Sequence, residues 1–375
     1  MAAQAAARAL ARVSVGAVER NCTHLRSLLT GGAELCAVVK SDGYGHGAVE
    51  CARAAQRGGA TWLAVATAGE AALLRAAGLA GRLLVMGSLT RAETATALAA
   101  DADIVVWEPE FARALAERVG DSGPPARIHV KLDTGMGRLG AIDPAQAHAV
   151  ADVAAADERL ELVGLMTHFA TADEPGDDHF PNQLARFTAC ADELAAAHPG
   201  LIVHAANSAA VYRDPASHFD MSRCGVAIYG LDPFQEDPAA HGLEPALALE
   251  VAVGAVRRFE SGWSAGYGRR WTASESTWVA TLPIGYGDGW RRALSNDCDV
   301  LIGGVRRPLV GTISMDNVTV DLGAETSVVP GDAAVLIGPQ GDERILAEEV
   351  ARRLGTINYE VTCGLTARVP RTHEP

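Results

Sequence analysis

A small set of polar side chains closes or follows apolar runs in this sequence, and those are the positions from which chemistry could be done. Lys40 ends AVVK within AVVKSDGYGHGA, Arg138 lies in KLDTGMGRLG, His168 follows the run LVGLMT, and Asn207 and Ser208 end LIVHAANS. A lysine closing an apolar strand sits where desolvation lowers the pKa, and a neutral amine is a nucleophile. A solitary lysine there more commonly snorkels to solvent, so the reading needs further groups. Two expected helix starts offer an anion site, one at Ser208 and the next at Gly225 with Val226. Free N–H groups and the positive end of the dipole bind phosphate at a helix N-terminus. An amine facing a phosphate site suits pyridoxal 5'-phosphate, although Gly and Ser also start helices for structural reasons alone.

These positions need elements to hold them. Short β-branched runs recur up to about residue 230: ELCAVVK (34 to 40), TWLAVAT (61 to 67), RLLVMG (82 to 87), DIVVW (103 to 107), RIHVKLD (127 to 133), LVGLMTHF (162 to 169), LIVHAANS (201 to 208) and FDMSRCG (219 to 225). Alanine-rich stretches with apolar residues three and four apart lie between them, as in AVECARAAQRGG and EPEFARALAERVG, and read as helices. Eight strand–helix units indicate a (β/α)8 TIM-type barrel rather than an open doubly wound sheet, and such barrels place functional side chains at the C-terminal ends of strands and phosphate sites after strands seven and eight. From about residue 242 the pattern changes to alternating strands punctuated by Gly and Pro, a mainly β domain. The fold class is therefore α/β, with a barrel over 1–240 whose first residues could pair with the β domain, and a β domain over 241–375. The run DPFQEDPAAHGLEP (232 to 245) is the expected crossing point.

Composition limits the partners. With 375 residues, 49% of them hydrophobic and 21% charged, the chain can bury large cores. A net charge of -14 without a basic stripe argues against nucleic acid. The seven Cys are scattered, with no CxxC and no metal-type spacing, so neither a disulfide framework nor a metal site is expected and a reducing cytoplasm fits best. The N-terminal MAAQAAARALARVSVG reads as a frayed tail leading into a strand, and no run of eighteen apolar residues suggests a membrane partner.

The segment AVVKSDGYGHGA resembles the pyridoxal-phosphate attachment motif of bacterial alanine racemases. KLDTGMGRLG, GLMTHFATAD, HAANSAA, RCGVAIYG, SAGYGRRW, LPIGYGDGWRR, VGTISMDN and INYEVTCGL follow in that family's order and cover nearly the whole chain. The resemblance implies a barrel plus β domain working as a head-to-tail homodimer with shared active sites, interconverting L- and D-alanine and supplying D-alanine for peptidoglycan. It implies that Lys40 holds the cofactor and is the base for the D enantiomer. Tyr267, reaching in from the other subunit, would serve the L enantiomer, activated by His168, itself linked to Arg223. Arg223 would meet the pyridine nitrogen and leave it unprotonated. Tyr44, Ser208, Gly225, Val226 and Tyr359 match phosphate-binding positions, with Asn207 beside them. Arg138 and the backbone at Met315 match contacts to the substrate carboxylate, and Lys131 matches a lysine that is often carbamylated. Asp316 reads either as an organising residue or as an Asx turn.

Thr312 and Ser314 depart from the pattern, standing where Arg and Cys are frequent. Thr312 falls at the family's access gate, which puts access and inhibitor sensitivity in doubt more than chemistry. A serine or broad-specificity racemase of the same fold remains an alternative, because a hydrophobic pocket rejects one added hydroxyl weakly. Decarboxylases of basic amino acids share the architecture but would be expected to lack the HAANSAA and SMDN contexts. A non-enzymatic carrier with the barrel alone is disfavoured by the long second domain.

Overall fold

A computed structural model describes residues 7–120 and 123–375; the first six residues of the expected tail lie outside them. The chain forms two compact units: Val18–Tyr44 with Ala48–Ile228, and Tyr229–Pro375 with Gly45–Gly47 and the N-terminal segment ending at Ala17. The first strand, β1 (Ala9–Ser14), belongs to the second unit.

The first unit is built from eight parallel strands, β2 (Glu34–Val38), β3 (Trp62–Val65), β4 (Arg82–Val85), β5 (Asp103–Val106), β6 (Ala126–Lys131), β7 (Leu160–Met166), β8 (Ile202–His204) and β9 (Met221–Cys224). They pair in the order β8-β7-β6-β5-β4-β3-β2-β9. The Arg223 N–H donates to the Ala206 carbonyl at 2.9 Å and the Asp220 N–H to that of Val203 at 3.0 Å, which joins the two ends of the sheet. Every residue of β3, β5 and β9 is buried, as both faces of a barrel strand are covered. The intervening helices bury small side chains; Ala48–Arg57 covers Ala48, Cys51, Ala52, Ala54 and Ala55, which lets helix and sheet approach closely. The eight strands expected from sequence coincide with β2 to β9 within a few residues.

One expectation needs correction. The element after β9 is a four-residue 3-10 helix, Val226–Tyr229, and not an α-helix. Its side chains are buried throughout, so it has no polar face to present to water, and Gly230 turns the chain at φ +69° where a Cβ would overlap the Glu244 carbonyl. The two compact units meet along the chain at Ile228–Tyr229. Asp232 explains this: its backbone N–H donates to Glu348 at 3.0 Å and its carbonyl accepts from Asn358 at 2.8 Å, tying the segment to the second unit.

The second unit carries β10 (Leu247–Ala252), β11 (Ala255–Phe259), the short pair β12 (Ser264–Ala265) and β13 (Trp271–Thr272), β14 (Thr277–Leu282), β15 (Asp299–Ile302), β16 (Val305–Val310), β17 (Val318–Gly323), β18 (Ala333–Gln340), β19 (Glu343–Ile345) and β20 (Arg371–Glu374). Its main sheet runs β11-β14-β17-β16-β15-β18-β10-β1-β20, with β19 on β18. The chain's first strand is thus held between β10, antiparallel, and β20, parallel.

Candidate active site

Lys40 stands two residues beyond β2, half-buried, and opens an unusual segment. Ser41, Asp42, Gly43 and Tyr44 all have φ between +51° and +62°. Left-handed backbone costs about 1–2 kcal/mol for each residue with a Cβ, and such strain persists only where its surroundings impose it. Here Glu70 accepts from the Ser41 N–H at 2.6 Å, Asp42 accepts from the Ala48 N–H at 2.9 Å and the Val39 carbonyl accepts from the Gly43 N–H at 3.0 Å. The turn carries Tyr44 to Gly225, where a Cβ would overlap the tyrosine hydroxyl. The Ser208 hydroxyl accepts from the Gly225 N–H at 3.1 Å and the Ala227 N–H at 3.4 Å, while Asn207 caps the short helix Ser208–Arg213 by accepting from the Ala210 N–H at 3.0 Å. Val226 is buried beside them. Hydroxyls and backbone N–H groups therefore gather around one glycine, a cradle suited to an anion.

The cations lie on neighbouring strand ends. Arg223, 3% exposed, donates to His204 Nδ1 at 2.9 Å, to the carbonyls of Thr167 at 2.7 Å and Ala205 at 2.9 Å, and to His168 Nδ1 at 3.4 Å. Burial lowers its pKa to about 10, so it stays charged at neutral pH. Lys131 closes β6, and burial first, then Arg223 and Arg138, push its amine down to about 8. His168 is held well below the ordinary imidazole range by desolvation and by the surrounding Arg223, Lys131, Arg138 and Lys40 charges, and is neutral. Arg138 is exposed on the loop after β6, which is folded around Asp133. Burial would raise that carboxyl, but the N–H groups of Gly135, Arg138, Gly137 and Met136 outweigh it and hold it ionised.

Tyr267, Met315 and Tyr359 belong to the second unit. Tyr267 is 75% exposed on the turn between β12 and β13, and Met315 is exposed in SMDN. Tyr359 is half-buried on the helix Asn358–Cys363, anchored through Asn358 to Asp232 and Glu348. Asp316 pairs with Arg368 at 2.6 Å, in keeping with an organising role. Sequence reading overlooked Asp103, His129 and His204, all fully buried. The available signal was spacing: His129 and Lys131 are two apart on β6 and so share a face.

A model of the alanine racemase N-terminal domain matches residues 13–233, and one of the C-terminal domain matches 246–373. The chain belongs to the alanine racemase family. Alanine racemase from Symbiobacterium thermophilum is 42% identical over 96% of both chains, and that from Geobacillus stearothermophilus is 40% identical over 96% of this chain and 92% of its own. The crystal structure of alanine racemase from Bacillus anthracis with bound L-Ala-P superposes with a TM-score of 0.90 at 35% identity, covering 98% of this chain and 95% of that one.

Against the alanine racemase pattern, Thr312 and Ser314 have clear structural tasks. The Thr312 hydroxyl donates to the Tyr267 carbonyl at 2.7 Å, and Gly266 bridges to Thr312 with no room for a Cβ between them. Ser314 closes the SMDN turn, donating to the Asn317 carbonyl at 2.9 Å and accepting its N–H at 3.0 Å. This member of the alanine racemase family also has only two lysines, Lys40 and Lys131, among its 32 Lys and Arg residues. Both stand at the mouth of the barrel.

Proposed function

We propose that the protein racemises alanine with pyridoxal 5'-phosphate attached to Lys40. The observation that carries this reading is the Tyr44–Ser208–Gly225 cradle with Lys40 at its start: missing one Cβ, it leaves hydroxyls and N–H groups grouped for a phosphate. Tyr359 would complete the phosphate contacts, with Asn207 holding the Ser208 helix and Val226 contributing backbone. Arg223 would hold the ring nitrogen. When bound, the cofactor would acidify the α-hydrogen of an amino acid by accepting its electron pair.

The chain's own groups do the rest. The Lys40 amine takes or returns the proton on one face and the phenol of Tyr267, given by each subunit to its partner's barrel, on the other. Two bases on opposite faces are what inversion of a carbon requires. Arg223 is charged and has only donors, so it leaves the ring nitrogen unprotonated, which limits how long negative charge persists and suppresses transamination. His168, neutral between the cations, orients the phenol. Arg138 and the Met315 N–H bind the substrate carboxylate. The deprotonated fraction of the Lys131 amine, enlarged by its lowered pKa, adds to carbon dioxide, forming an N–C bond in place of one C=O π bond and releasing one proton, and the resulting carbamate steadies Arg138 by a charge-assisted hydrogen bond.

Thr312→Val keeps the shape and removes the donor to the Tyr267 carbonyl, worth about 1 kcal/mol. The expected result is a fall in kcat of about fivefold with an unchanged substrate KM, read in a standard racemisation assay. An unchanged kcat would mean that the Tyr267 turn holds itself.

Alanine is preferred to serine because the relatives, at 40–42% identity over nearly the whole chain, are alanine racemases. The biological reading is D-alanine supply for peptidoglycan in the cytoplasm; among the described residues no helix is long and apolar enough to cross a membrane. Purified protein is expected to carry the optical rotation of L-alanine to zero, with slower loss for L-serine and none for L-lysine or L-arginine. Carbon dioxide release without racemisation would instead identify a decarboxylase.

A further inference from the structure

Beneath Arg223 the barrel interior carries polar side chains that the proposed reaction does not use. Asp103, the first residue of β5, has no exposed surface. It pairs with Arg82 of β4 at 2.5 Å, with Arg127 of β6 at 2.6 Å, and with Nε2 of His129 at 3.1 Å. His129 Nδ1 lies 2.9 Å from His204 Nε2, and His204 Nδ1 lies 2.9 Å from the Arg223 guanidinium. The two imidazoles meet edge to face, and Trp62 packs edge to face on His129. Room for this ring is specific, since a Cβ at Gly164 of β7 would overlap His129 Nδ1. The chain of contacts thus runs through the barrel from the N-terminal end of β5 to Arg223.

The donors can be assigned from either end. A guanidinium only donates, so His204 Nδ1 accepts, Nε2 carries the hydrogen, and His129 Nδ1 must accept it. That leaves His129 Nε2–H for Asp103. From the other end, burial would raise the Asp103 carboxyl, but His129, Arg127 and Arg82 bring it to about 2; a carboxylate only accepts, which requires the same His129 Nε2–H. Both imidazoles are pushed down by burial and are neutral. Every hydrogen bond therefore points from Arg223 toward Asp103, an alignment in which each bond polarises the next.

We propose that Asp103 and His129 are positioning residues that act on Arg223 through His204, fixing a tautomer that can only accept and so holding the guanidinium in place. Arg223 has imidazoles and carbonyls as its direct partners, and the Asp103 carboxylate, held by Arg82 and Arg127, fixes the far end of the chain as an acceptor. The coupling to cofactor rests on the reading that Arg223 meets the ring nitrogen; the tautomers do not.

The first test is nitrogen NMR of the holoenzyme labelled with [15N]histidine. Both rings are expected as neutral Nε2–H tautomers at pH 7 to 8, and a charged ring or an Nδ1–H tautomer at either position would overturn the proposal. The second uses Asp103→Asn, whose amide can offer an N–H to His129 Nε2. That reverses the chain and sets His204 Nδ1–H against the guanidinium. Removing groups that orient a primary ligand costs about 10- to 100-fold at metal sites, and a similar loss of kcat is expected here, with a substrate KM within about threefold. Cofactor should dissociate at least about tenfold faster and the visible absorbance should shift. His129→Phe keeps the ring packing against Trp62 and leaves both arginine pairs of Asp103, so it decides the matter should Asp103→Asn fail to fold. Folded variants with cofactor release, absorbance and kcat all unchanged would reduce the chain to core packing. A wild-type protein that binds no cofactor would defeat the reading of Arg223 and with it the coupling, while the ring shifts would still report the tautomers.

Discussion

Lys40→Ala is expected to reduce racemisation by more than about 10^3-fold, because on the proposed reading one substitution removes both the attachment of the cofactor and one of the two bases, each worth orders of magnitude. The visible absorbance of the bound cofactor should disappear with it. Borohydride reduction of the wild-type protein followed by peptide mapping makes the assignment sharp, since Lys131 is the single competing side-chain amine. A pyridoxyl group on Lys131 would overturn the assignment of Lys40. The left-handed run after Lys40 should survive the substitution, because Glu70, Asp42 and the Val39 carbonyl accept hydrogen bonds that hold it. The loss would then be chemical rather than a failure to fold, which circular dichroism checks.

Mixing two inactive chains should restore activity. In the proposed mechanism Tyr267→Phe removes the second base and Lys40→Ala the first, and if each site takes Tyr267 from the opposite subunit, a mixed dimer holds one intact site and one doubly damaged site. Random exchange of equal amounts makes about half the dimers mixed, so about a quarter of the wild-type activity should return. The exposure of Tyr267 on its own chain, 75%, fits a side chain meant for another surface. Confirmed exchange with no recovery would place both bases in one chain.

The barrel was legible because its strands are covered on both faces and so read as continuous apolar runs, from ELCAVVK to FDMSRCG. The polar residues ending them stood out for the same reason, and the structure gathers Lys40, Lys131, His168 and Arg223 as neighbouring charges and dipoles. Three features were hidden. Left-handed backbone at Ser41, Asp42 and Tyr44 contradicts their local preferences and is imposed by distant partners such as Glu70. Gly45–Gly47 packs with the second unit, where His46 stacks on Tyr229 at 4.6 Å, a contact no local pattern announces. Asp103, His129 and His204 were passed over because a lone polar residue in an apolar strand has many innocent explanations, and only their mutual distances give them a direction. Tyr267, Met315 and Tyr359 were singled out by motif order alone, since nothing in periodicity marks them.

The scarcity of lysine has a practical side. Thirty of the 32 cationic side chains are arginines, which active esters and aldehydes leave largely untouched. Of the two lysines, Lys131 is 4% exposed and Lys40 half-buried at the barrel mouth. Amine-directed labelling, crosslinking or resin attachment would therefore find almost no lysine target on the outside of the folded chain. Such reagents would act as a count of open barrel mouths, and immobilisation for use would have to go through some other functional group.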